Sequence, residues 1–273
     1  MRIVLHDGRT ISALQAPLRI AADGCQIGRA ATASPPCVYG EAAGSPTVVL
    51  FGDSHAGHFL AGLDDAARQL GWRLVVRVKA GCTPVDVPSW NFRTGQMNQA
   101  CLLWRETVMK EISALRPRMV LAASDSNYDV IAPTDRRPDR AERAAQIRAE
   151  GERRTAERLL QSAANVIFIA DTLHLPQDPV LCLLAHPRGE DACQWPLTSL
   201  LPRRRFPVTA GSLDPRIAVI DFNRDICGGD TCAALSGGAL LMHDRSHISE
   251  TTAAALSGRF LKLLKEAGAA DER

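Results

Sequence analysis

The 273-residue chain lacks several things that would assign it a class at once. It holds no run of about 18 apolar residues, so nothing in it reads as a membrane span. Its first residues, MRIVLHDGRT, have no secretory apolar core. Aromatics are scarce at 5%, and the net charge is only +2, which leaves little electrostatic basis for nucleic-acid binding. Only four of 32 basic residues are lysines (Lys79, Lys110, Lys262, Lys265). Together with the many alanines, that bias fits a GC-rich genome better than an arginine-specific function. No Cys-x-x-Cys occurs, which argues against a zinc site.

Eight cysteines are nevertheless present, spaced as sequence-local pairs: Cys25 and Cys37, Cys82 and Cys101, Cys182 and Cys193, Cys227 and Cys232. An even count without metal spacing favours disulfides. Neighbour-to-neighbour pairing is the preferred arrangement among the roughly one hundred that eight cysteines allow. Disulfides imply export, yet no export signal is visible. The chain is therefore expected to be one domain of a longer protein whose remainder directs export.

Apolar patterning predicts five strands, at 47–51, 72–78, 119–123, 166–170 and 217–221. Helices are predicted over 55–70, with Gly71 as its stop, over 97–115, ended by Pro117, over the charged stretch 135–160, and over 250–266. Strands alternating with helices imply an α/β, three-layer α/β/α sandwich on a five-stranded parallel sheet. Residues 1–46 read as an irregular linker or N-terminal extension with one disulfide, and 47–273 as the folded domain. Within it, 171–215 reads as a long loop insertion. Its run Arg203-Arg204-Arg205 fits a solvated loop, or contact with an anionic glycan or lipid headgroup.

Two stretches carry chemistry. In VVLFGDSHAGH, Val48 to His58, an apolar strand stops on a serine at the edge where parallel sheets bind ligands. In HDRSHIS, His243 to Ser249, an aspartate and a histidine stand three apart just before the last helix. A serine nucleophile needs a base, and the base needs an orienting carboxylate. Ser54, His247 and Asp244 supply those roles; alone, Ser54 would read as a helix N-cap. His243 and His247 faintly resemble a zinc-protease pair, but the helix, the glutamate and the third ligand that motif needs are missing.

The pairing of FGDSHAGH with a distant DRSH resembles the SGNH/GDSL hydrolase superfamily. With KAGCTP at Lys79–Pro84 and CLLWRETV at Cys101–Val108, it is similar to the SGNH domains fused to membrane acyltransferase family 3 proteins, which O-acetylate bacterial surface polysaccharides such as lipopolysaccharide. The resemblance spans about residues 25–265. It implies a flavodoxin-like fold, with Ser54 as nucleophile, His247 as base and Asp244 as its partner. It also implies an oxyanion hole from the Ser54 N–H, Gly81 and an asparagine. The usual Gly-x-Asn-Asp block is broken here to AASDSNYD, leaving Asn127, with Ser124 or Ser126 as substitutes. Asp53 and His55 are assigned supporting roles at the site, and His58 a structural one.

The implied function is O-acyl transfer, of an acetyl group, to a surface-glycan hydroxyl in the periplasm. The chain would be tethered to the inner membrane through a multi-pass partner domain on the same natural chain. That partner would deliver acetyl ultimately from acetyl-CoA, with no cofactor, metal or nucleic acid in this domain. A carbohydrate acetylesterase uses the same triad, and a non-catalytic glycan-binding module would retain the same fold.

Overall fold

A computed structural model describes residues 2–4, 10–12, 17–91, 94–186, 190–201 and 214–269. Five parallel strands form the centre: β3 (Thr47–Gly52), β4 (Arg73–Lys79), β5 (Met119–Ala123), β6 (Asn165–Ile169) and β7 (Ile217–Ile220). Their spatial order is β7-β6-β5-β3-β4. Their central residues form β-branched, aliphatic or aromatic runs without alternation, as expected for strands covered on both faces, except that β7, at the sheet edge, is exposed at Ala218 and Val219.

Two further strands correct the reading of residues 1–46 as irregular. β1 (Gln26–Ile27) pairs parallel with β4, and β2 (Val38–Gly40) pairs antiparallel with it, making a seven-stranded sheet. At two and three residues, both are too short to carry a periodic signal.

Side chains alternate between two cores. Val48 and Leu50 face one layer, built on α2 (Leu60–Gln69) and on α6 (Glu250–Ala255) and α7 (Ser257–Ala269). Val49 and Phe51 face the other, on α3 (Gln99–Leu115) and α4 (Arg140–Leu160). The helix expected over 55–70 is two: a single turn, α1 (Ser54–Gly57), and then α2. The C-terminal helix is likewise interrupted, at Leu256.

The segment expected as a long loop at 171–215 contains α5 (Pro179–Ala185), a strand at Gln194–Pro196 and a turn of helix at Leu197–Leu200. Its short elements are held by the Cys182–Cys193 bridge rather than by a long apolar face. Arg203, Arg204 and Arg205 lie outside the described residues. The other bridges join Cys25 to Cys37, Cys82 to Cys101 and Cys227 to Cys232, the neighbour pairing expected. Among the described residues no helix is long and apolar enough to cross a membrane.

Register positions the site. Val78, Gly52, Ala123, Ile169 and Ile220 form one cross-strand row at the carboxyl edge. Just past that row stand Gly81, Ser54, Asn127 and Asp171, each on the loop leaving its strand.

Candidate active site

β3 ends at Gly52, where a side chain has no room: a Cβ there would lie 1.9 Å from the Ala123 carbonyl oxygen. That close approach lets the chain turn sharply into α1. Asp53 caps the turn, its Oδ1 accepting from the His55 N–H at 2.8 Å. Its Oδ2 accepts from the Tyr128 hydroxyl at 2.6 Å and the Asp125 N–H at 3.0 Å, which ties the Ser54 turn to the loop after β5. Burial pushes the Asp53 carboxyl up to about 6, against the pull of His55 and Tyr128. From Val48 to Leu60, Ser54 alone is not buried. It is the first residue of α1, where N–H groups have no intrahelical acceptor.

The second motif is a closed loop rather than a helix. Met242 bridges Ile248, and the His243 N–H donates to the His247 carbonyl at 2.7 Å. Asp244 organises it: Oδ1 accepts the Ser246 N–H at 2.8 Å and the His247 N–H at 2.9 Å. His247 Nδ1 lies 2.8 Å from Asp244 Oδ2 and 3.1 Å from Oδ1. Burial would raise the Asp244 carboxyl, but the His247 ring and these N–H groups hold it well below the usual carboxylate range. With its proton held on Nδ1 by Asp244, His247 carries its lone pair on Nε2, and that buried atom has no hydrogen-bond partner. The loop is anchored to the end of β6 by Thr172 Oγ1 donating to the Ser246 carbonyl, 3.0 Å, and by the Leu175 N–H on the Arg245 carbonyl, 2.7 Å.

The two motifs meet. The His247 ring stands edge-on to that of His55, the residue after Ser54, at 4.7 Å between centroids, and 5.9 Å from that of His58. His58 is fully buried against Phe59; that burial, with the neighbouring His55 and His247, drives its pKa far down, so the ring is neutral.

Asp171 was not singled out by the sequence reading. His55 Nδ1–H donates to Asp171 Oδ1 at 2.7 Å, with both side chains buried. Asp171 Oδ2 accepts from the Ser126 N–H and hydroxyl, each at 2.8 Å. Burial disfavours charge on the ring, but Asp171, with Asp53 and Asp125 behind it, outweighs that and raises His55 to about 9. His55 is thus an imidazolium next to Ser54 in the chain. The one available signal for Asp171 was its place immediately after a predicted strand's carboxyl end.

The oxyanion candidates are not equal. Gly81 has φ +65°, a conformation that suits glycine, and lies two residues past the end of β4, the strand paired with β3. Ser124 Oγ is engaged by Thr83 Oγ1 at 3.1 Å and the Asp125 carbonyl at 3.2 Å, and Ser126 by Asp171. Neither hydroxyl is available as a substitute donor. Asn127 is exposed, with its amide 3.5 Å from His174 Nδ1.

His55, Asp171 and His174 bring three possible metal-ligand atoms together. The His55–Asp171 hydrogen bond and the Ser126 donors account for that carboxylate without an ion. Cys182, His186 and Cys193 form a second such group, but both sulfurs are spent in a disulfide.

Residues 24–262 match the profile of the SGNH domain (fused to AT3 domains). No curated protein sequence matches the chain. Among solved structures, the periplasmic domain of the lipopolysaccharide acetyltransferase of Salmonella ser. Paratyphi A is similar in fold. The TM-score is 0.56 at 12% identity, over 92% of this chain and 90% of that one. With the profile covering most of its length and both motif loops meeting at one sheet edge, the chain belongs to the family of SGNH domains fused to AT3 domains.

Proposed function

We propose that this chain is a serine-dependent O-acetyltransferase, passing an acetyl group through Ser54 to a hydroxyl of a bacterial surface polysaccharide in the periplasm. The observation that carries this reading is the unpartnered His247 Nε2, held by Asp244 and set against the residue next to Ser54. His247 takes the Ser54 Oγ proton as Oγ attacks the acyl carbonyl. The oxyanion forms against the N–H groups of Ser54 and Gly81. On collapse, His247 returns the proton to the leaving group and Ser54 keeps the acetyl ester. The acceptor hydroxyl then gives its proton to the same nitrogen, attacks the ester, and releases Ser54 with its proton restored. The donor comes from an AT3 membrane domain, ultimately from acetyl-CoA, and that domain tethers this one to the inner membrane.

The test supplies p-nitrophenyl acetate as donor and purified lipopolysaccharide O-polysaccharide as acceptor, to wild type and Ser54→Ala. The expected result is new acetyl esters on the polysaccharide with wild type only, formed at the expense of free acetate. Acetate release that is unchanged by acceptor, with no polysaccharide ester, identifies an esterase instead.

A further inference from the structure

Lys79, the last residue of β4, is fully buried. Its ammonium meets three backbone carbonyls: Gly28 at 3.0 Å, Arg29 at 2.6 Å and Ala31 at 2.6 Å. A buried charge is expensive unless its hydrogen bonds are made, and here all three N–H donors are used. They clamp one short loop. The Cys25–Cys37 bridge closes the same loop, and Trp104 Nε1–H holds Ser34 Oγ at 2.8 Å. β1 on β4 fixes its near end.

That fixed backbone presents Arg29. Its side chain lies on Gly81, with Nε 3.2 Å and Cζ 3.3 Å from where a Cβ on Gly81 would stand. Arg29 is exposed, and among the described residues its guanidinium has no carboxylate partner. Arg29, Gly81, Asn127 and Tyr128 line one cleft of about 480 Å³. Tyr128 in turn bonds Asp53, the residue before Ser54. An unpaired cation is therefore held at the glycine expected to donate to the oxyanion, in a site where the Ser124 and Ser126 hydroxyls are already engaged.

We propose that Arg29 is a catalytic residue: its guanidinium stabilises the oxyanion formed during acyl transfer at Ser54, supplied by the disulfide-closed N-terminal loop in place of the broken asparagine block. No bond is made or broken by Arg29; it meets charge that develops on the carbonyl oxygen and disperses on collapse. The inference rests on Ser54 being the acylated nucleophile, and the test separates the two.

Wild type, Ser54→Ala, Arg29→Gln, Arg29→Lys and Arg29→Ala are compared in acetylation by p-nitrophenyl acetate and in labelling by a fluorophosphonate, with the site mapped by mass spectrometry. Because Arg29 is exposed and unpaired, its variants are expected to melt as wild type does. Arg29→Gln is expected to slow acetylation about 100-fold in kcat with little change in KM. Arg29→Lys, a point charge without the planar fork, should retain part of the rate. Millimolar guanidinium should restore part of the rate to Arg29→Ala and leave wild type unchanged. Labelled wild type with Arg29→Gln equally fast, or a rise in KM alone, overturns the proposal while leaving the nucleophile intact. A wild type that takes no label at Ser54 overturns both.

Discussion

Removing one ring, in His55→Gln, should change how the stability of the whole fold depends on pH. The His55 pKa is raised from 6.5 to about 9 in the folded chain. That gap corresponds to about 3 kcal/mol of folding free energy. A group whose folded pKa is raised contributes that stability in full below pH 6.5, and the contribution is lost as pH rises through 9. His58 stays neutral across this window; Asp53 loses the pull of His55 in the variant and titrates higher there, which takes back part of the His55 trend above pH 6. The assay is urea unfolding at intervals from about pH 6 to 9.5, disulfides intact, with the free energy extrapolated to water. At pH 6 wild type should be the more stable, and the difference should shrink by up to about 3 kcal/mol by pH 9.5. A difference that stays constant across that range refutes the buried imidazolium–Asp171 pair.

Two other substitutions probe separate parts of the account. Asp244→Asn keeps the side chain's shape but removes the charge that holds the proton on His247 Nδ1. It should lower kcat for acyl transfer by about 10³- to 10⁴-fold with little effect on thermal stability, read by steady-state kinetics beside a melt. Lys79→Met leaves the Gly28, Arg29 and Ala31 carbonyls without their donor, and should cost about 1–3 kcal/mol in urea unfolding. An unchanged midpoint would remove the clamp from the account.

What could be read from residues alone followed the strength of local signals. The strand at 119–123 is an unbroken apolar run, the other four central strands each contain a run of at least three apolar residues, and each lies within a residue or so of its expected place. Ser54, Asp244 and His247 could be singled out as candidates because two short motifs each carried a complete chemical part. Asp171 was not, because its partner His55 is 116 positions away and only the β3–β5–β6 register joins them. Arg29 and Lys79 were missed for a related reason. The strand that brings the N-terminal loop to β4 has only two residues, and the clamp is made by backbone carbonyls, which leave no mark in a sequence. The helix expected over 55–70 breaks at His58 and Phe59, where two buried rings pack instead of continuing an amphipathic face.

The most direct test of the central claim is intact-mass analysis of the chain quenched during p-nitrophenyl acetate turnover, with the modified peptide sequenced. The account predicts one acetyl adduct on Ser54 in wild type, none in Ser54→Ala, and greatly slowed adduct formation in His247→Ala. An adduct on another residue, or equal acetylation of wild type and Ser54→Ala, would contradict it.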